Sequence, residues 1–297
     1  MNGPLVSVVI PAYNSGNFIQ NSLASVIQQS YKNFEIIVSD DGSTDKTTAI
    51  VESVLLLNKG IKTKLLKNQH QGPGFARNQG ILNSSGSWIA FLDSDDLWYK
   101  YKLSRVAEYI QRNPEIELWC HSELVKSKNS QVACEHYKRF DCRATPFLSM
   151  YRNNSLSTSA VTVKKDALFR AGLFDEELPN AQDYDLWIRL ADTAKIGFIK
   201  DVLGVYVSRD DSITSYNKRR LRCLLRIAEK YRAALKQKTR FYFIEEAKFK
   251  GRAYIDAGLG LISKGRKAQG LILLCRGIIR WPFRKFNIKN NVKKIIQ

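Results

Sequence analysis

Trp88-Ile-Ala-Phe-Leu-Asp-Ser-Asp-Asp96 is the stretch from which the fold is read. Five apolar residues form a buried-strand pattern, and three acids follow within four positions. Carboxylates this close raise one another's pKa unless a positive charge sits among them. A divalent cation with oxygen ligands, Mg²⁺ or Mn²⁺, answers that need. The plainer alternative is an N-cap opening a helix over Leu97 to Ile110, a task for which one Asp suffices.

Upstream, Val6 to Ile10, Glu35 to Val38 and Lys64 to Leu66 are further strand candidates, separated by helical stretches near 17–29, 45–57 and 75–83. In the first of these, Ile19, Leu23, Val26 and Ile27 keep the helical period. Strand alternating with helix predicts an α/β fold with a mostly parallel central sheet flanked by helices, its ligands bound outside the carboxyl ends of the strands. The polar motifs stand at those ends: Pro11-Ala-Tyr-Asn14, Asp40-Asp-Gly-Ser-Thr-Asp45 and Asp93-Ser-Asp-Asp96. The alternation lapses near residue 112. Residues 113–180 mix strand candidates such as Leu156 to Val163 with polar loops, as expected of a region shaped for one substrate.

Charge separates the chain into two parts. Residues 1–215 carry 24 Lys+Arg against 24 Asp+Glu, whereas residues 216–297 carry 23 against 4, so the net +19 of the chain lies wholly in the second part. That part reads as helical, with Leu221, Leu224, Leu225 and Ala228 on one face and an antiparallel pair over Tyr254 to Ser263 and Lys267 to Arg280. A neutral body with a basic appendage points to an anionic surface, lipid or nucleic acid. The expected division is 1–215 for the catalytic domain, split near residue 112 into a nucleotide-binding half (1–112) and an acceptor-side half (113–215), then 216–297 for a basic helical region. Five cysteines without a CxxC pair argue against a disulfide framework, and the spacing of Cys120, His121, Cys134, His136 and Cys142 fits no common zinc motif. No secretory signal and no spanning apolar run is visible, so the expected place is the cytosol, or the cytosolic face of a membrane.

Five motifs in order carry a resemblance: Val6-Ser-Val-Val-Ile-Pro-Ala-Tyr-Asn14, Asp40-Asp-Gly-Ser-Thr-Asp45, Ala76-Arg-Asn-Gln-Gly80, Phe91-Leu-Asp-Ser-Asp-Asp96 and Gln182-Asp-Tyr-Asp-Leu-Trp-Ile-Arg189. Over roughly residues 5–214 the chain resembles the inverting family 2 glycosyltransferases of GT-A fold. The resemblance implies a sugar transferase that uses a nucleotide-sugar donor, UDP-linked, and passes a hexosyl or N-acetylhexosaminyl group to a saccharide or lipid-linked saccharide in cell-surface polysaccharide or glycolipid assembly.

The resemblance also implies roles for particular residues. Pro11, Tyr13 and Asn14 are similar to the wall of the nucleotide pocket, and Asp40 to the carboxylate that accepts the base N–H, leaving Ser43 or Thr44 to cap the next helix. Arg77 resembles the arginine that approaches the base or diphosphate. Asp95 matches the metal ligand, Asp93 the acid shared between ribose and metal, and Asp183 the general base, while Asp96 is left as a helix cap.

Two departures stand out. Gln182 replaces the Glu that often precedes the base, which removes one negative charge beside it. Arg209, within Tyr206-Val-Ser-Arg209, stands where the family often has a metal-binding His; it is expected to contact the diphosphate, with Asp210 or Asp211 an alternative source of a metal oxygen. A nucleotidyltransferase and a basic nucleic-acid-binding protein remain as other classes. The first usually has a Gly-rich loop where Pro11 to Asn14 stand, and the second lacks a recognisable reading motif here, so no nucleic-acid partner is expected.

Overall fold

The computed structural model describes residues 3–128, 130–208 and 218–282. Its first half alternates as the apolar periodicity predicts: β1 (Val6–Ala12), α1 (Ile19–Ile27), β2 (Phe34–Asp40), α2 (Thr47–Leu57), β3 (Lys62–Lys67), α3 (Pro73–Leu82) and β4 (Trp88–Phe91). Every residue of β2 and β4 is buried, which explains the unbroken apolar runs Ile36 to Val38 and Trp88 to Phe91. The lysines of β3 mark it as the edge, where charge discourages pairing with other chains.

Beyond β4 the order is β5 (Leu97–Trp98), α4 (Lys102–Arg112), β6 (Leu118–Lys126), β7 (Gln131–Cys134), α5 (His136–Arg139), α6 (Pro146–Arg152), a 3-10 turn at Thr158–Ala160, β8 (Val161–Lys164), α7 (Lys165–Ala171), α8 (Gln182–Thr193) and β9 (Ile196–Val207). Four helices follow: α9 (Lys218–Lys230), α10 (Arg232–Lys238), α11 (Tyr242–Ser263) and α12 (Lys267–Arg280).

Among the described residues one sheet runs β3-β2-β1-β4-β8-β6-β9-β5, with β7 paired to β6. The β3-β2-β1-β4 half is parallel throughout, and β8 joins β4 antiparallel. Side chains of β1, β2 and β4, among them Val8, Ile10, Ile36, Val38 and Ala90, pack with Leu23 and Val26 of α1 and Val51 of α2. Each fully buried Val, Leu or Ile contributes roughly 1.5–3 kcal/mol, so this layer fixes where the strand ends stand.

Two expectations are corrected. The helix expected from Leu97 begins only at Lys102, because Leu97 and Trp98 pair instead with Val205 and Gly204 of β9. The strand expected over Leu156 to Val163 opens with the 3-10 turn and pairs only from Val161. By its internal contacts the chain divides into two compact units, Met1–Glu177 with Gln182–Arg209, and Leu178–Ala181 with Asp210–Gln297. In the second unit α11 starts at Tyr242, well before the expected Tyr254.

Candidate active site

Helix α3 brings the motif loops of the first unit together. Its start is set by Gly72, whose φ of 103° is open to glycine, and by Pro73 at the first helical turn, where a missing N–H costs nothing. Asp41, buried at the end of β2, accepts from Gln71 N and Gly72 N at 2.9 Å each and so ties the β2 loop to the helix entry. One turn on, Arg77 Nη2 donates to Asp93 Oδ1 at 2.6 Å, with the guanidinium over the Phe174 ring. Asn78 donates to Phe174 O at 3.0 Å and Glu176 Oε1 at 2.7 Å and accepts from Phe174 N, fixing the segment that leads toward Asp183. Gly80 lies so close to β1 that a Cβ there would fall 2.4 Å from Val9 Cγ1. The Ala76-Arg-Asn-Gln-Gly80 motif is therefore a packing and anchoring device as much as a binding one.

The loops after β1 and β2 are stitched together. Asn14, at φ 48°, donates its N–H to Ser43 Oγ and accepts from Thr44 N through Oδ1, both at 2.9 Å. Its short polar side chain suits that left-handed conformation. Asp40 is buried and turned onto Ser43, accepting from Ser43 N at 3.1 Å and Ser43 Oγ at 2.5 Å. The capping expected of Ser43 or Thr44 falls instead to Asp45, whose Oδ1 accepts from Thr47 N at 2.9 Å while Oδ2 accepts from Gly16 N. Asp45 reaches both groups because it stands two residues before Thr47, where the helix begins, and faces the β1 loop. Pro11 is half-buried within β1. Tyr13, 45% exposed, stacks on His70 with centroids 4.2 Å apart, and His70 Nδ1 lies 2.9 Å from Asp41 Oδ2.

The acid loop after β4 is held by serines. Ser22 of α1 donates to Ser94 O and Asp96 O at 2.8 Å, and Ser15 Oγ meets Ser94 Oγ at 2.7 Å. Asp93 and Asp95 are half-buried, whereas Asp96 is buried. Asp96 does not cap α4. Its Oδ2 accepts from Ser159 Oγ at 2.6 Å and its Oδ1 from Val207 N at 2.9 Å, while Ser159 Oγ accepts from Asp93 N at 3.1 Å. The third acid thus joins the loop to the end of β9. Nothing in the sequence spacing marked Ser159 or Val207 as its partners.

Burial, then the Asp93, Asp95 and Glu123 carboxylates, push the Asp96 carboxyl well above its ordinary range. The loop therefore concentrates negative charge, with Arg77 as the cation on Asp93. Oxygen donors in such a setting fit a hard divalent ion. Among the described residues no group of three or more His, Cys, Asp or Glu is arranged to hold a metal. Mg²⁺ is usually bound through one or two carboxylates together with substrate phosphates.

Asp183 lies half-buried in the first turn of α8. Next to it Gln182 is buried, packed near Gly74 of α3, and its Oε1 has no hydrogen-bond partner among the described residues. Further along, Asp185 pairs with Arg189 at 2.8 Å, and Arg189 also donates to Ala171 O and Leu173 O, which fastens α8 to the end of α7. Arg209, Asp210 and Asp211 lie outside the described residues.

Between β6 and α5, His136 Nε2 lies 3.2 Å from Glu123 Oε2 and His136 Nδ1 lies 3.9 Å from Cys134 Sγ. Burial opposes protonation of His136, but Cys134 and Glu123 outweigh it and raise the imidazole to about 9. Lys102 is buried over the Trp98 ring with Nζ 3.0 Å from Thr162 Oγ1. Burial pushes the Lys102 amine well below its ordinary range, and nothing in the sequence marks either Lys102 or His136 as buried.

Comparison with known proteins bears on the same residues. The family model described as glycosyl transferase family 2 matches residues 7–176. An uncharacterized glycosyltransferase of Rickettsia conorii is 34% identical over 209 residues, covering 70% of this chain and 34% of that protein. The chain thus spans about a third of that relative's length. The Staphylococcus aureus TarS 1-349 crystal structure in complex with UDP-GlcNAc matches at a TM-score of 0.68 and 22% identity, covering 98% of this chain and 88% of that one. The mannosyltransferase PcManGT of Pyrobaculum calidifontis, in complex with GDP-Man and Mn²⁺, matches at 0.65 and 17%, covering 99% and 86%. Both likenesses are to the fold, which is of the GT-A type.

Proposed function

Because the chain belongs to glycosyl transferase family 2, we propose that it is an inverting transferase that moves a hexosyl or N-acetylhexosaminyl group from a UDP-sugar to an acceptor hydroxyl, on a saccharide or lipid-linked saccharide of a cell-surface polysaccharide or glycolipid. The observation that carries the reading is the convergence on α3 of the β2 loop, the acid loop and the segment before α8, through Asp41, Arg77 and Asn78. One helix sets the spacing between a nucleotide pocket, a diphosphate site and a base.

Tyr13 offers an exposed ring to the nucleobase, beside Pro11 and Asn14, and Asp40 retains acceptor lone pairs for the base N–H. Arg77 places a buried positive charge next to Asp93, where the diphosphate would be held. Asp95 and Asp93 would hold a divalent cation, Mn²⁺ or Mg²⁺, which when bound supplies neutralising charge to the departing nucleotide. Asp183 takes the proton from the acceptor hydroxyl as that oxygen attacks the anomeric carbon from the face opposite the leaving group. With Gln rather than Glu at 182, no second carboxylate competes for that proton. Arg209 is assigned to the diphosphate. The glycosyltransferase family takes the place of the nucleotidyltransferase and nucleic-acid readings.

The test is a screen of nucleotide sugars with Mn²⁺ or Mg²⁺, using wild type, Asp95→Ala and Asp183→Asn. Asp95→Ala should lose metal-dependent donor binding. Asp183→Asn should bind donor normally and transfer more slowly by roughly 10²–10⁴-fold. Equal turnover in wild type and both variants overturns the assignment.

A further inference from the structure

The second unit carries a surface that sugar transfer does not explain. Helices α11 and α12 meet along a glycine seam: a Cβ on Gly258 would fall 2.7 Å from Gly270 O, and one on Gly277 would fall 2.8 Å from Gly251 O. Backbones approach this closely only where side chains are absent. Gly270 and Gly277 lie seven residues apart and so occupy one face of α12, which leaves its bulky side chains to point elsewhere.

They point outward. Ile272 and Ile279, also seven apart and on the side away from the seam, are 56% and 78% exposed, and Leu271 beside them is 55% exposed. Exposed apolar residues scattered singly are ordinary, but a stripe along one helix face calls for a partner. The charge around it names the partner's chemistry. Residues 257–297 contain ten Lys or Arg and no Asp or Glu. On α12 itself Lys267, Arg276 and Arg280 accompany the stripe, and the Arg280 guanidinium lies 4.6 Å over the Tyr254 ring.

We propose that the outer face of α12 docks this chain on an anionic lipid bilayer, the apolar stripe entering the acyl boundary and the flanking lysines and arginines meeting the headgroups. An apolar face bordered by cations is the composition of a helix lying in the interface plane. It is not a spanning helix: no helix among the described residues is long and apolar enough to cross a membrane. A second copy of the chain is a poor occupant, because pairing two such faces would bring like charges together. A nucleic acid would leave the isoleucines without an apolar partner. The proposal does not rest on the transfer reaction, and its test uses neither donor nor acceptor.

The experiment is flotation of the full chain with phosphatidylcholine vesicles, and with vesicles in which phosphatidylglycerol is mixed in. Wild type should float with the anionic vesicles and not with the neutral ones, and salt should release it. Ile272→Glu/Ile279→Glu, which changes only exposed positions, should lower partition by about tenfold or more, and Arg276→Gln/Arg280→Gln by a smaller factor. Circular dichroism should match wild type in both variants. Equal binding to both vesicle types, no binding to either, or unchanged binding by the isoleucine variant overturns the proposal. So does self-association in the absence of lipid that the isoleucine variant abolishes, if the chain shows no anionic binding.

Discussion

The loops after β2 and β4 stand at the ends of strands flanking β1 and are both rich in aspartate, yet they use it in opposite ways. In the β2 loop the carboxylates turn inward: Asp40 is occupied by Ser43, Asp41 by Gln71 N and Gly72 N, and Asp45 by Thr47 and Gly16. Their negative charge is met by backbone N–H groups and hydroxyls, which fixes the shape of the loop. In the β4 loop only Asp96 turns inward to Ser159 and Val207; Asp93 meets a guanidinium, and Asp93 and Asp95 remain half-buried. The β2-loop carboxylates meet N–H and hydroxyl donors whereas Asp93 meets a charged guanidinium, so one residue type serves two electrostatic settings.

That contrast can be broken experimentally. The largest effect is expected at Asp95. Asp95→Asn should lower metal-dependent transfer by roughly 10²–10³-fold, consistent with losing one preorganised electrostatic contact, and leave thermal stability nearly unchanged. Asp41→Ala should do the reverse. It strands two N–H groups at the entry of α3, costing about 2–3 kcal/mol and lowering Tm by roughly 5 °C or more, with transfer per folded molecule within several-fold of wild type. A stable but inactive Asp41→Ala protein would erase the distinction between the two loops.

The opposite end of β2 gives a smaller test of the same principle. Burial favours the neutral form of Glu35, but Ser7, the Ser85 N–H and Lys62 outweigh it and hold the carboxyl down to about 2. A carboxyl depressed in the folded state contributes stability that is present above its unfolded value and is lost as pH falls toward 2. Glu35→Gln should therefore be less stable than wild type at neutral pH, and the gap should close as the solution is acidified between about pH 4.5 and 2. Thermal melts across that range read it directly, and a gap that stays constant with pH would show that Glu35 acts only by packing.

Much of this was legible in the sequence, for identifiable reasons. The parallel half of the sheet announces itself because strands buried on both faces carry unbroken apolar runs, as Ile36 to Val38 and Trp88–Phe91 do. The motif loops were placed correctly at the strand ends. Less legible were contacts made across long separations. Asp96 reads as a cap because its partners Ser159 and Val207 lie 63 and 111 residues away. Leu97 and Trp98 read as helix because β9, which recruits them into the sheet at Val205 and Gly204, is likewise distant in the chain. The burial of Lys102 and His136 has no local sequence signal, because it depends on segments brought together in the fold, Thr162 over Lys102 and Glu123 beside His136. Asn78 stood in a recognised motif, but its role in holding Phe174 and Glu176 appears only when the two segments are brought together.

His70 marks the finest point of the comparison, since it links a scaffold aspartate to a residue assigned to ligand binding. Asp41 holds the imidazole through Oδ2, and the imidazole in turn backs one face of Tyr13 at 4.2 Å. An exposed tyrosine ring loses rotational freedom when a second ring supports it, so less ordering remains to be done when a base settles on it. Aromatic pairs of this kind contribute about 0.5–1.5 kcal/mol, which translates to roughly 2- to 10-fold in donor affinity. His70→Ala should therefore raise the donor KM by that factor with kcat unchanged, because the ring touches neither Asp183 nor the acid loop in the described contacts. His70→Phe should restore most of the loss, since it keeps the stack and forgoes only the contact with Asp41. If alanine lowers kcat instead, His70 acts on the reaction itself, and the β2 loop is more than a scaffold.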